Sequence, residues 1–150
     1  MRKKPVVVIL LLGAAVYAAA FFKFFDREPM PSPPKAFIKD TGIEVPVRTV
    51  SYYWGLGKEG YGSPWVTVQD KEAVIVPKHS ILTFSFEKEP KSIPQIRQVI
   101  SDGENKSVEM KSPYEVVLPD KEGVYVYSVD ADWKDGGVQY VVKVGVGSTP

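Results

Sequence analysis

The chain reads as an all-β protein, an immunoglobulin-like antiparallel sandwich of seven to eight strands behind one N-terminal transmembrane helix. Three observations predict this. Two long segments near the C-terminus alternate apolar and polar residues with a period of two, as half-buried antiparallel strands do. From about Asp40 the chain consists of short β-branched and aromatic runs punctuated by Gly, Pro and Asp. Before that, Pro5 to Phe22 carries no charge and follows a basic start, Arg2-Lys3-Lys4.

Taken in order, residues 1–25 read as a signal-anchor. Val6 to Leu12 is apolar on every side, and with Phe24 and Phe25 the run approaches the roughly 20 residues that span a bilayer. Three basic residues precede it and only Lys23 follows, so the N-terminus is expected in the cytoplasm and everything after Asp26 outside. Ala18-Ala19-Ala20 offers the alternative of cleavage near Ala20 and secretion. The aromatics Phe21, Phe22, Phe24 and Phe25 continue past that site like an interfacial belt, which favours the uncleaved anchor.

Residues 26–39 read as a spacer, because Pro29, Pro31, Pro33 and Pro34 stiffen and extend the backbone. The extracytoplasmic domain is then expected over 40–147. Ile43–Trp54 opens it, and Ala73–Val76 is a short strand ended by Pro77. Leu82, Phe84 and Phe86 alternate with Thr83 and Ser85. Ile93–Ile100 is restricted by Pro94 to an edge or a strand start, and Ser107–Met110 and Tyr114–Leu118 follow. In Val124–Trp133 the residues Tyr125, Tyr127, Val129, Ala131 and Trp133 share one face, with Ser128 and Asp130 on the other. Val138, Tyr140, Val142, Val144 and Val146 share a face of the last strand, and Lys134-Asp135-Gly136-Gly137 supplies the turn. A small closed barrel is the alternative architecture.

Composition narrows the function. Beyond residue 25 the chain holds 15 basic and 18 acidic side chains with no basic run, which argues against nucleic acid as a partner. The absence of cysteine excludes disulfides, a thiolate metal site and a lipidated cysteine.

Leu118-Pro119-Asp120-Lys121-Glu122-Gly123-Val124-Tyr125-Val126-Tyr127, then Asp132-Trp133, Gly136-Gly137 and 139–144, resembles the ending of a Bacillus-type (Firmicutes) family of extracytoplasmic β-sandwich proteins of uncharacterised activity. Ser51-Tyr52-Tyr53-Trp54-Gly55 is similar to that family's Ser-Tyr-Cys-Trp-Gly-like motif, with Tyr53 where cysteine is common. Pro77 to Pro90 is similar to a second motif, so the resemblance covers roughly 50–146. It implies an N-terminal signal or anchor and a sandwich, and it supplies no catalytic residue.

The search for chemistry is short. The single histidine, His79, adjoins Ser80, but neighbours on a strand face opposite ways and do not make a nucleophile–base pair. Asp130, Asp132 and Asp135 invite calcium, yet one extra residue breaks the calcium-loop spacing and the hairpin turn itself favours Asp-Gly. No catalytic residue, metal or cofactor is therefore expected. Aromatics around Gly55, Gly57, Gly60 and Gly62 are the better lead, since exposed rings on a glycine-rich loop stack on sugars or grip a peptide. Tyr61, Trp65 and Tyr53 are the candidate ligand-binding residues, with Trp54 assigned to the core. The expected function is a non-catalytic binding or interaction domain at the cell envelope, contacting envelope polymer or another membrane protein. A sensory ectodomain acting through a membrane partner is the alternative, and a secreted enzyme ranks third.

Overall fold

A computed structural model describes residues 4–148. Two helices and twelve strands are found among them: α1 (Lys4–Phe25), β1 (Lys35–Ile38), β2 (Glu44–Val45), β3 (Arg48–Trp54), β4 (Gly57–Gly60), α2 (Pro64–Val68), β5 (Val74–Val76), β6 (Ile81–Ser85), β7 (Gln95–Ser101), β8 (Glu104–Ser107), β9 (Met110–Ser112), β10 (Glu115–Val117), β11 (Gly123–Trp133) and β12 (Gly136–Val146).

The strands form an all-β sandwich. One sheet runs β2-β1-β6-β10-β9 and the other β4-β3-β12-β11-β7-β8, with β5 lying parallel beside the distal half of β12. The β11–β12 hairpin anchors the second sheet through an unbroken register from Gly123↔Val146 to Trp133↔Gly136. The alternation read from the sequence sets its inner face: Tyr127, Val129, Ala131 and Trp133 pack with Val138, Tyr140, Val142, Val144 and Val146. The opposing sheet adds Ala36, Ile38, Val45, Leu82, Phe84 and Val116. Burying each such side chain is worth about 1.5–3 kcal/mol, so this shared core holds the two layers together.

Several elements differ from the expectation, each for a local reason. The strand count is twelve rather than seven to eight, because short exposed pieces such as β4 and β8 bury nothing and leave no alternation to read. Ile43–Trp54 is two strands in different sheets, divided at Pro46, which has no N–H for a ladder. The stretch 107–110 is a crossing between sheets, from β8 in one to β9 in the other. Gly136 and Gly137 lie in β12, not in the turn, and neither has a positive φ.

The segment 26–39 is not a free spacer. Its last third is β1, whose Ala36 and Ile38 are buried in the core. Further back, the Glu28 N–H donates to Asp135 Oδ2 at 3.1 Å, and its carbonyl accepts the Trp54 Nε1–H at 2.8 Å. The Glu28 carboxylate also pairs with Lys88. Prolines extend this segment, but side-chain partners on the sandwich hold it down.

The expected transmembrane helix is not found as such: among the described residues no helix is long and apolar enough to cross a membrane. The helix α1 itself spans 22 residues, Lys4–Phe25, of which the side chains of 7–22 are described. The ends of the expected anchor, residues 1–6 and 23–25, lie outside the described side chains. Every described side chain of α1 is exposed, so the 7–22 part of the helix is not buried against the sandwich.

Candidate functional site

The outer face of the larger sheet carries the candidate site, and residues 48–68 build it. This stretch adds β3 and β4 beyond β12 and then folds α2 back over the sheet. The Ser63 hydroxyl oxygen caps α2 by accepting from the Val66 N–H, with Pro64 at the first helical position, where its missing N–H costs nothing. Val68 and Trp65 pack on Val50, Val99, Val126 and Val141, a second apolar cluster that covers half of the outer face. Lys143 closes the other end of α2 by donating to the carbonyls of Val68 (2.9 Å), Gln69 (3.3 Å) and Lys71 (2.6 Å).

The uncovered half is organised as two rows across the strands. In the first, Tyr53, Gly137 and Asp132 are register partners, and the Tyr53 hydroxyl donates to Asp132 Oδ1 at 2.8 Å. In the second, Ser51, Gln139 and Asp130 are partners, and Gln139 Nε2 donates to Asp130 Oδ1 at 3.0 Å. The rows line an open groove of about 500 Å³, flanked by Lys58 and Glu59 of β4. A smaller hollow of about 140 Å³ between Trp65, Arg97 and the β7–β8 turn shares Asp130 and Gln139 with it. Tyr53 lines the groove and Trp65 the hollow.

No family model, curated protein or solved structure matches this chain.

The site's ionisable groups follow their surroundings. Burial raises the Asp130 carboxyl above its usual value, outweighing the Gln139 hydrogen bond and the nearby Arg97 charge. The hydrogen bond to Asp132, with some desolvation, raises the Tyr53 phenol. The Tyr53 hydroxyl and both carboxylates thus each have a named partner.

The three residues singled out from sequence take different places. Tyr53, on β3 and 57% exposed, walls the groove. Trp65 walls the hollow from α2 while half-buried on the valine cluster. Tyr61 is exposed and joins neither lining; its N–H donates to the Val50 carbonyl, and Glu59 sits near its hydroxyl. Their loop is not a flexible glycine-rich excursion but the β3–β4 hairpin and α2. Trp54 is half-buried against the main core, 6.0 Å from the Trp133 ring.

Asp130, Asp132, Gln139 and Ser51 were missed as a site. Alternation places the two aspartates on one face, but the strands that flank them cannot be read from sequence. The Asp135 carboxylate instead accepts from the Glu28 N–H, and among the described residues no group of three or more His, Cys, Asp or Glu is placed to hold a metal ion. His79 occupies a turn with φ 60° and pairs through Nδ1 with Asp120 at 2.8 Å, while the Ser80 hydroxyl donates to the Pro77 carbonyl.

Proposed function

We propose that this chain is a non-catalytic binding domain of the cell envelope, held in the membrane by its N-terminal helix and displayed outside the cytoplasm. The observation that carries the binding half is the pair of adjoining hollows, lined by Tyr53 and Trp65 respectively, that share Asp130 and Gln139. Fixed polar groups beside aromatic walls suit recognition of a ligand by side chains. The anchoring half is supported by α1, whose Ile9, Leu10, Leu11 and Leu12 are each more than 60% exposed. A surface that apolar on all sides requires a covering, and lipid is the covering that matches an apolar helix behind a basic start.

The sandwich fits the immunoglobulin-like class in the same proposal. The order β1-β6-β10-β9 corresponds to strands A-B-E-D, and β12-β11-β7-β8 to G-F-C-C′. The segment from β2 to α2 is then an insertion after the first strand, and it carries the aromatic walls. The likeness of 50–146 to Bacillus-type extracytoplasmic proteins points to the same placement.

A sensory ectodomain is the second reading, favoured by one contact set. Glu28, three residues after α1, is bonded to Trp54 and Asp135, the chain neighbours of Tyr53 and of the β11–β12 hairpin end. Those contacts tie the segment that follows α1 to the chain neighbours of groove residues.

The test is sedimentation of the detergent-purified full chain with isolated envelope polymer and with membranes. Wild type should sediment, and Asp130→Arg combined with Trp65→Ala should remain in the supernatant. Equal sedimentation of the two sinks the groove as the binding site. Release of the chain from cells by carbonate washing alone sinks the anchor.

A further inference from the structure

The groove itself indicates what class of ligand it takes. Tyr53 is not a free side chain: a Cβ built on Gly137 would lie 2.7 Å from its Cε1 and 2.8 Å from its Cζ, so the ring covers that glycine. Its hydroxyl is tied to Asp132 on the strand beyond. The ring is therefore held over the sheet by its close approach to Gly137 and by its hydroxyl, and the residue is still 57% exposed. A ring held at two points with more than half of its surface exposed can serve as a stacking platform that loses little freedom when something settles on it.

Beside the platform lie two carboxylates. Asp130 and Asp132 sit two residues apart on one face of β11, hence about 7 Å apart along the strand. Each has Oδ1 engaged, by Gln139 and Tyr53 respectively, and among the described residues no further hydrogen bond reaches either Oδ2. Ionised carboxylates only accept hydrogen bonds, so the ligand must bring donors.

Two ligand classes are disfavoured by the same geometry. The centre of the groove lies over β12, whose backbone pairs there with β11 on one side and β3 on the other, so a peptide lying across it gains no main-chain pairing from that strand. Asp130, Asp132 and Glu59 face it against Lys58 and Arg97, which gives phosphate-bearing polymers no net attraction.

We propose that the groove is a saccharide site: a sugar ring stacks on the exposed ring of Tyr53 while its hydroxyls donate to Asp130 and Asp132. This deepens, and rests on, the reading of the domain as an envelope-binding module. An uncharged or amino-bearing sugar polymer is the class that supplies a flat apolar ring face and adjacent hydroxyl donors together.

The experiment is calorimetric titration of the full chain, in a detergent without a sugar headgroup, with cellotetraose, chitotetraose and fully deacetylated chitotetraose. At least one should bind with a Kd of about 1 mM or tighter, and Tyr53→Ala should weaken it about tenfold. Tyr53→Phe, which keeps the ring over Gly137, should lose less than Tyr53→Ala. Asp130→Asn supplies a second reading of the groove should Tyr53→Ala unfold, and it too should weaken binding. Absence of binding by wild type to all three sugars overturns the proposal, as does unchanged affinity in folded Tyr53→Ala or in Asp130→Asn. Groove-dependent sedimentation with envelope material alongside no sugar binding removes the ligand class and leaves the binding module standing.

Discussion

The Tyr53 hydroxyl reaches Asp132 across β12, and the residue it crosses is Gly137, the register partner of both. A Cβ there meets Asp132 Oδ1 and the Tyr53 ring, so these two side chains would have to shift to admit it. Gly137→Ala should displace the ring, break the hydrogen bond and destabilise the domain by about 1 kcal/mol, the net worth of one such bond, because the groups that must move are side-chain ends. Urea denaturation measures the loss, and the Tyr53 phenol should then titrate closer to its ordinary pH. A substitution that leaves both unchanged contradicts the seated ring.

Gly136 answers a different constraint. A Cβ there meets the Tyr53 carbonyl and the Trp54 backbone, with the Trp54 Cα 2.9 Å away. Backbone yields less readily than a side chain, so Gly136→Ala should cost at least as much as Gly137→Ala and should loosen the β3–β12 pairing. Amide hydrogen exchange in β3 should quicken while exchange at the β11–β7 pairing stays slow. Uniform quickening across both strands would mean global destabilisation instead.

Asp130 should make the domain less stable as it ionises. Its folded-state pKa is raised, mainly by burial, so the folded chain holds the proton to higher pH than the unfolded chain does. That contribution to stability is complete below the unfolded value, about 3.9, and is lost as pH rises through the folded value. Asp130→Asn, which cannot ionise, should be more stable than wild type at pH 7 and indistinguishable from it below about pH 4. Thermal melts across this range check the convergence; a constant offset would assign the effect to something other than charge.

The core carries two tyrosines of a different kind. Tyr140 is buried, its hydroxyl has no hydrogen-bond partner among the described residues, and burial pushes its pKa up to about 12. Burial raises Tyr127 as well. The unfolded phenols ionise near pH 10, so stability is intact below that and falls as pH rises towards the folded values. Tyr140→Phe should stabilise the domain by about 1 kcal/mol at pH 7, because it removes an unsatisfied buried hydroxyl. It should also blunt the alkaline loss, read by tyrosinate absorbance during unfolding. Destabilisation at pH 7 would show that the hydroxyl has a partner.

Much of this fold was written in the alternation of residues 124–146, because a strand with one buried face must place apolar groups at every second position. Tyr127 to Trp133 and Val138 to Val146 fall into the core in that pattern. The elements that were illegible are those that bury little: β4 is exposed at all four positions, and α2 is one turn and a half, too short for a helical period. The Ser63-Pro64 cap was the available signal for α2. The site was legible only in part for a related reason. Alternation tells that Asp130 and Asp132 face outward, but only long-range pairing brings Tyr53 and Gln139 beside them.

The last prediction concerns how α2 is kept on the sheet. A helix of five residues has few hydrogen bonds of its own, and its ends are closed by Thr67 N–H to the Ser63 carbonyl and Gln69 N–H to the Trp65 carbonyl. Its C-terminal carbonyls point at Lys143, whose ammonium satisfies three acceptors from Val68 to Lys71. Lys143→Met preserves the aliphatic stem and removes those donors. Hydrogen bonds from a charged group are worth about 1.5–3 kcal/mol, and the exposure of the site brings the expected loss to the lower end. Because α2 carries Trp65, exchange at Thr67 and Gln69 should quicken and the Trp65 emission should shift to the red. The adjoining hollows then lose one of their two aromatic walls, so ligand affinity should fall even though position 143 lines neither of them. If stability falls while Trp65 emission and exchange in α2 are unchanged, Lys143 acts on the sheet and not through the helix.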